Sequence, residues 1–288
     1  MLVKRNLGSG ALYDVCWNGQ NVFVVGSGGI LYKINIVDGS TNATVSQSNV
    51  GFFSVSCNGG EVAVGNNLGI VTIYNATNLA MRTSVNVGVN YPNSLFTVPS
   101  QNLVFTSTDV DHYMRITHEN GTALGKFWGP SPTTTGISPS LDPTKLWFAG
   151  NGKAIRYDMN SQLSSFTADF GTDNSYGGYQ LYGMVERMRP NLTVFGLYGS
   201  QVWVFNATVP DNSIGYMPFT MRNSAISLNI HPSSPELMCF NGDSVSGVNG
   251  IQIFNTTSKS YLGDITYSGA SGASWSCDIG TFIYFLCA

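Results

Sequence analysis

The sequence predicts an all-β fold, a seven-bladed β-propeller of four-stranded antiparallel blades. Short apolar or alternating runs recur along the chain, separated by turns rich in Gly, Asn, Asp and Pro. The runs come in sets of four, and the third runs of successive sets end 38, 42, 41, 48 and 49 residues apart. No long segment has the 3.6-residue period of a helix. Four strands recurring every 40–45 residues or so are typical of propeller blades.

The first unit sets the pattern for the chain. Its predicted strands are Leu12 to Trp17, Asn21 to Val25, Ile30 to Ile36 and Ala43 to Ser46. The turn Asn18-Gly19 favours a tight hairpin between the first two strands. Residues 51 to 85 repeat this order turn for turn, so the second unit predicts the same four-stranded sheet.

Six units are complete and a seventh begins near the C-terminus. Within a single domain spanning 1–288, the predicted blades are 11–49, 50–89, 90–132, 133–172, 173–221, 222–270, and 271–288 together with 1–10. The seventh starts with Ala273 to Cys277 and a turn at Asp278 to Gly280, and the sequence ends before a third strand. We therefore expect a seventh blade that is closed by, or incomplete at, the chain ends. An incomplete blade would offer an edge to another copy of the chain.

Several predicted third strands close with an aromatic residue followed by Asn or Asp: Tyr74-Asn75, Tyr157-Asp158, Phe205-Asn206 and Phe254-Asn255. Together with the turns between first and second strands, these pairs resemble the blades of the WD40 and YVTN class of β-propellers, where WD40 blades place Trp-Asp. No unit has the Gly-His pair of WD40 blades. The resemblance implies a fold, and functions on this fold are too varied to be carried over.

The composition favours an extracellular protein. Charged residues are only 10% of the chain and the net charge is -3, so amides, hydroxyls or attached sugars must keep the surface wet. No Lys/Arg cluster is present, which argues against nucleic acid as a partner. No stretch reaches the roughly 20 apolar residues of a membrane span.

Six Asn-x-Thr sequons predict N-glycosylation, at Asn42, Asn75, Asn120, Asn191, Asn206 and Asn255. A chain so rich in Asn, Ser and Thr contains several sequons by chance. However, all six end in Thr although Ser is the more frequent hydroxyl residue, which favours their use. Propeller topology predicts that all six lie on one face, because each falls in or beside a turn joining strands one to two or three to four.

The five cysteines are candidates for disulfide bonding. Cys16, Cys57 and Cys277 each precede a turn glycine by three residues, which suggests equivalent positions on innermost strands. Neighbouring inner strands lie at the limit of the roughly 7 Å between Cα atoms that a disulfide tolerates. Buried thiols are therefore the alternative for these three. Cys239 and Cys287, on second strands of adjacent blades, are the next pair to test.

Catalytic and metal-binding residues are scarce. The chain has three histidines, which limits acid–base chemistry. Asp109, Asp111 and His112 lie close together and are weak candidates for a cation site, although Asp-rich loops are usually solvated turns. No nucleophile elbow, P-loop or dinucleotide fingerprint occurs. The sequence predicts no cofactor and no enzymatic activity.

These observations favour a secreted glycoprotein that acts as a binding or structural module in an extracellular assembly, or as a filament subunit. Its expected partners are another protein or copies of itself, with N-linked glycans attached. Two other functions remain open: a propeller enzyme acting on glycans, as a hydrolase or lyase, and an intracellular WD40-like scaffold. Two β-sandwich domains are the alternative fold, against which the fixed cadence and the lack of a linker argue.

Overall fold

A computed structural model describes most of the predicted strands. The described residues are 7, 10–87, 92–98, 101–108, 112–117, 121–128, 134–140, 142–150, 153–169, 181–188, 192–198, 201–206, 213–216, 225–230, 237–242, 250–255, 258, 260–266, 277–279 and 283–285. Within these ranges, no helix is long and apolar enough to cross a membrane.

Twenty-six strands occur in these ranges. The first three sheets contain β1 (Leu12–Trp17), β2 (Asn21–Gly26), β3 (Ile30–Asn35) and β4 (Thr41–Ser46); β5 (Phe52–Cys57), β6 (Glu61–Asn66), β7 (Ile70–Asn75) and β8 (Met81–Asn86); and β9 (Pro92–Val98), β10 (Leu103–Thr108), β11 (His112–Thr117) and β12 (Ala123–Trp128). The next three contain β13 (Thr134–Pro139), β14 (Lys145–Gly150), β15 (Lys153–Asp158) and β16 (Leu163–Asp169); β17 (Leu181–Met188), β18 (Leu192–Tyr198), β19 (Gln201–Asn206) and β20 (Ser213–Tyr216); and β21 (Ala225–Ile230), β22 (Leu237–Gly242), β23 (Gly250–Asn255) and β24 (Ser260–Thr266). A last pair is β25 (Cys277–Ile279) and β26 (Ile283–Phe285).

Each four-stranded sheet is an antiparallel meander in which strands pair in chain order. This confirms the predicted all-β class and the four-stranded antiparallel sheets. The first strands contact one another in succession, β1 with β5, β5 with β9, β9 with β13, β13 with β17, β17 with β21 and β21 with β25, and β25 also contacts β1. None of the described sheets closes on itself.

The first two sheets show why these residues form strands. The second strands, β2 and β6, are buried along their whole length, because neighbouring sheets cover both faces. The outer strands β4 and β8 alternate between half-buried and exposed positions, as expected of strands with one solvated face. Apolar side chains of the first and second sheets interdigitate in one cluster that includes Phe23, Val25, Leu31, Phe52, Val62 and Val64.

In the four-stranded sheets, the strand ends differ from the predicted boundaries by up to three residues. Third strands end on the Asn or Asp of the aromatic pair, as at Asn75 and Asp158, rather than on the aromatic residue. The fourth strand of the first sheet, β4, begins at Thr41 rather than Ala43. Apolar patterning missed these ends because backbone pairing, which defines a strand, continues into polar residues next to a turn.

The last strand pair also corrects the prediction. Cys277–Ile279 is a strand, whereas the sequence predicted a strand ending at Cys277 and a turn starting at Asp278. Ile279 pairs with Ile283 across the connection to β26. Residues 1–6, which were expected to help complete this sheet, lie outside the described part of the chain.

Every four-stranded sheet carries two β-bulges. One lies in the first strand, between Leu12 and Asp14 in the first sheet and between Pro92 and Ser94 in the third. The other lies in the fourth strand, where one extra residue faces the third strand. These extra residues are Asn42, Arg82, Leu124, Ser165, Ile214 and Leu262. Bulges bend a strand and redirect a side chain, so each outer strand turns one residue away from its regular position.

Candidate functional site

The four predicted glycosylation sites that the structure describes lie at one end of their sheets. We call this the sequon end: the end at which the first strand leads to the second and the third leads to the fourth. Asn75, Asn206 and Asn255 are the last residues of β7, β19 and β23, and Asn42 is the second residue of β4. Asn120 and Asn191 lie outside the described residues.

A side-chain cap repeats where the third strands end. The Oδ1 atom of Asn35 accepts a hydrogen bond from the backbone N–H of Val37 at 2.7 Å, and that of Asn75 accepts one from Thr77 at 2.8 Å. Asp158 accepts bonds from Asn160 and Ser161 in the same way. The Asx turn so formed explains the Asn/Asp of the aromatic pair, since this side chain replaces a backbone acceptor as the chain reverses.

Capping and glycosylation use different atoms of the same side chain. The cap uses Oδ1, whereas an N-glycan is attached to Nδ2. In Asn75 and Asn255 the described bonds go to Oδ1, with Ser258 as a donor to Asn255 at 2.9 Å. The turn therefore holds the side chains of these two sequon residues through their oxygen atoms.

Asn42 differs from the other described sequon residues because it is an outer-strand bulge and not a cap. Its side chain is exposed, and its Nδ2 donates to Oδ1 of Asn21 at 3.0 Å. In the second sheet, a salt bridge takes the equivalent position: Arg82 donates to Glu61 at 2.6 Å. The second position of the outer strand thus reaches across to the start of the second strand in both sheets.

The sequon ends of the first sheets lie side by side. The ammonium group of Lys33 in β3 donates to the carbonyl oxygen of Thr77, in the turn after β7, at 2.6 Å. Lys33 is buried although it is charged. Because Thr77 is the hydroxyl residue of the Asn75 sequon, the first sheet directly holds a sequon turn of the second.

A disulfide joins the first two sheets close to the same end. Cys16 of β1 and Cys57 of β5 are bonded, with their Cα atoms 5.8 Å apart. Both side chains pack against the apolar cluster between the two sheets. Their sequence separation is 41 residues, so the bond closes a loop that spans one whole sheet.

The cysteines are not equivalent, as the turn glycines had suggested. Cys16 pairs with Phe23 at the penultimate position of its strand, whereas Cys57 pairs with Val62 at the last position. The residue equivalent to Cys57 in the first sheet is therefore Trp17. This offset permits the bond, because consecutive residues point to opposite faces and only opposite faces of neighbouring sheets meet.

The next interface has a hydrogen-bonded pair at the same position. The hydroxyl oxygens of Ser56 and Thr97 lie 3.3 Å apart, and their sequence separation is again 41 residues. Ser56 also accepts the backbone N–H of Thr97 at 3.0 Å. The disulfide thus occupies a position that the second and third sheets fill with hydroxyls.

Short polar side chains also accept backbone N–H groups between first strands. Asp14 of β1 accepts from Val55 of β5 at 2.8 Å, and Ser94 of β9 accepts from Ile137 of β13 at 3.3 Å. First strands have one edge without a strand partner in their own sheet. These side chains satisfy donors on that edge, where a buried unpaired N–H would be costly.

The other cysteines are described only through their backbone or not at all. Cys277 is the first residue of β25 and Cys239 lies in β22, where its backbone neighbours are Asn229 and Ile253. Their side chains and Cys287 lie outside the described part of the chain. The proposed pairing of Cys239 with Cys287 stays a prediction.

The structure describes only a small part of the candidate cation site. Asp109 and Asp111 lie outside the described residues, and His112 is described only as the first backbone position of β11. Among side chains that the structure does describe, no group of three His, Cys, Asp or Glu residues is arranged to hold a metal ion.

Two carboxylates at the sequon end have lowered pKa values. Hydrogen bonds from Lys145 and then Thr144 hold the pKa of Asp142 below its ordinary range. The backbone N–H of Ser161 lowers the pKa of Asp158. Both carboxylates accept bonds from turn residues and not from each other, so they act as turn caps rather than as an acid–base pair.

Sequence reasoning missed the bulge at Asn42, the buried Lys33 and the pair formed by Ser56 and Thr97. The pair formed by Ser56 and Thr97 has the same sequence separation, 41 residues, as the two disulfide cysteines, and this spacing was the available signal for it. No family model matches this chain, and no curated protein is similar to it.

Proposed function

We propose that this protein is a secreted, N-glycosylated β-propeller of seven blades that serves as a non-enzymatic binding or structural module. Sugars cover the sequon ends of its sheets. The opposite ends bind another protein or further copies of the chain. No step of this function requires a cofactor.

One observation carries the proposal: sequon residues from four different sheets lie at the same end of those sheets. Asn42, Asn75, Asn206 and Asn255 all have this position. Asn is a common turn residue and turns occur at both ends. However, Asn66 and Asn67, in the turn at the opposite end of the second sheet, belong to no sequon. A bare end opposite a glycosylated one leaves room for a macromolecule to dock.

The order of sheet contacts supports a ring of seven blades. Each first strand contacts the next, and β25 of the last pair contacts β1 of the first sheet. Such cyclic succession with meander sheets is the arrangement of a propeller, in which the first strands surround the axis. All sequon ends then lie on one face of the ring.

The disulfide supports secretion independently of the sequons. Disulfides persist in oxidising compartments and are rare in the cytosol. The bond between Cys16 and Cys57 therefore favours the secreted glycoprotein over an intracellular scaffold. It also supports the use of the sequons, because N-glycans are added in the secretory pathway.

The opposite end of the second sheet presents an apolar side chain suited to docking. Leu68 is 57% exposed at the turn between β6 and β7. Its backbone N–H donates to Oδ1 of Asn66 at 3.0 Å, and that of Ile70 donates to the same atom. A rigid turn lowers the entropy cost of burying Leu68 against a partner.

Intact-mass measurement and glycopeptide mapping of protein secreted from eukaryotic cells test the proposal. We expect sugar on most of the six sequons, and peptides linked through Cys16 and Cys57 before reduction. Retention of the chain inside the cell with all six asparagines unmodified would contradict both secretion and the sugar-covered face. Material from a glycosylation-deficient bacterium serves as the control for peptide recovery.

A further inference from the structure

The outer strand of the first sheet, β4, has a bulge but lacks the charge, proline or shortness that also protect edge strands. β4 is the last strand in its sheet. Its sequence, Thr-Asn-Ala-Thr-Val-Ser, contains no charged residue and no proline. An outer strand with neither charge nor proline can pair with the same edge of another molecule.

The other outer strands are protected by charge or by shortness. A charged residue occurs in β8, β12, β16 and β24, at Arg82, Lys126, Asp169 and Asp264. β20 has no charge but is only four residues long. Charge and short length both discourage pairing between edges, so β4 stands apart as a longer, uncharged edge.

Asn42 lies where a blocking group would act. It is the extra residue of the outer-strand bulge, the position that Arg82 fills in the second sheet. Asn42 and Thr44, the two residues that define the sequon, are both exposed. The amide of Asn42 is oriented by its bond to Asn21, and an N-linked sugar leaves one N–H on Nδ2 to keep such a bond.

We propose that a glycan on Asn42 covers the outer edge of the first sheet and prevents it from pairing with the same edge of a second copy. The sugar supplies the protection that charge gives β8, β12, β16 and β24. This inference rests on the proposed secretion and glycosylation. It adds a specific task for one of the six sequons.

Variants at Thr44 test the proposal because they leave Asn42 and its contact with Asn21 in place. Thr44→Ala removes the sequon, Thr44→Ser keeps it, and Thr44→Lys removes it while adding a charge to the edge. Each full-length variant is secreted from eukaryotic cells. Glycopeptide mapping then gives the occupancy of Asn42, and light scattering after size exclusion gives the mass.

We expect Thr44→Ala to shift towards a roughly twofold larger particle, with a concentration-dependent mass. Thr44→Ser and Thr44→Lys should keep the wild-type mass. The lysine variant separates edge pairing from misfolding, because it loses the same sugar and the same threonine.

Two results would overturn the proposal while secretion and glycosylation stand. One is an occupied Asn42 in Thr44→Ser together with equal masses for the Ser and Ala variants. The other is a bare Asn42 while other sequons carry sugar. Absence of sugar from all six sequons would instead overturn both this proposal and the proposed function.

Discussion

Replacing the disulfide between the first two sheets should lower stability by an amount that the loop length sets. The bond between Cys16 and Cys57 closes a loop with a sequence separation of 41 residues. The chain-entropy relation for a loop of this length gives about 4 kcal/mol at 25 °C. We therefore expect Cys16→Ala with Cys57→Ala to lose about 4 kcal/mol, and the melting temperature to fall by about 7 °C.

A second double variant separates the covalent bond from the local packing. Cys16→Ser with Cys57→Thr copies the pair that Ser56 and Thr97 form at the next interface, 3.3 Å apart. A hydrogen bond there would return about 1 kcal/mol, so this variant should lose about 3 kcal/mol. As a matched control, Ser56→Ala with Thr97→Val removes the hydroxyl pair and the acceptor of the Thr97 backbone N–H, so it should cost about 2 kcal/mol.

Urea unfolding followed by fluorescence measures all three variants against the wild type under oxidising conditions. Linear extrapolation of the free energy of unfolding gives the differences. A double-alanine variant as stable as the wild type would refute the entropic argument for this bond. A double-alanine variant no less stable than the Ser/Thr variant would refute the equivalence of the two interfaces.

Three further predictions concern the turns. Asn75→Gln and Thr77→Ala both remove the Asn75 sequon, but only Asn75→Gln also removes the Asx cap. Urea unfolding should therefore show Asn75→Gln to be about 1 kcal/mol less stable than Thr77→Ala. Equal stability of the two variants would mean that the cap contributes nothing. Gly29 has a φ of 63° and a Cβ there would strike backbone carbonyl oxygens, whereas one on Gly28 meets nothing within 4 Å. Gly29→Ala should therefore lose more than about 1 kcal/mol in calorimetry and Gly28→Ala should lose less than that, and the reverse order would refute the assigned turn. Because the pKa of Asp142 is lowered in the folded state, its contribution is present above the ordinary value of about 3.9 and declines as pH falls towards the folded pKa. Asp142→Asn should thus flatten the loss of stability between about pH 5 and pH 2, and parallel pH profiles would contradict this.

The strand pattern could be predicted from sequence because it rests on local signals. The apolar run from Leu12 to Trp17 and the turn Asn18-Gly19 specify a hairpin by themselves, and the structure places β1 and β2 there. The second sheet followed for the same reason. Strand ends were less accurate, since capping residues such as Asn75 are polar and still pair within the sheet.

The pairing of individual side chains could not be predicted in the same way. Whether Cys16 meets Cys57 depends on a register difference of one residue, and such a difference moves a side chain to the other face. The glycine-based alignment placed both cysteines at the same position. Likewise, the bulge at Asn42 depends on pairing with β3 and leaves no mark in the sequence of β4 alone.

The repeated Asx cap makes the number of sequons in this protein easy to change by substitution. In the first sheet Asn35 caps its turn as Asn75 does, but the residue two positions later is Val37 rather than a threonine. Val37 contributes only its backbone N–H to the described cap, and its side chain is 79% exposed. Replacing Val37 with threonine would create a sequon at Asn35 without disturbing the core, and replacing Thr77 with valine would remove the sequon at Asn75. The cap serves folding in each of these sheets, and the residue two positions after the cap determines whether the turn also contains a sequon.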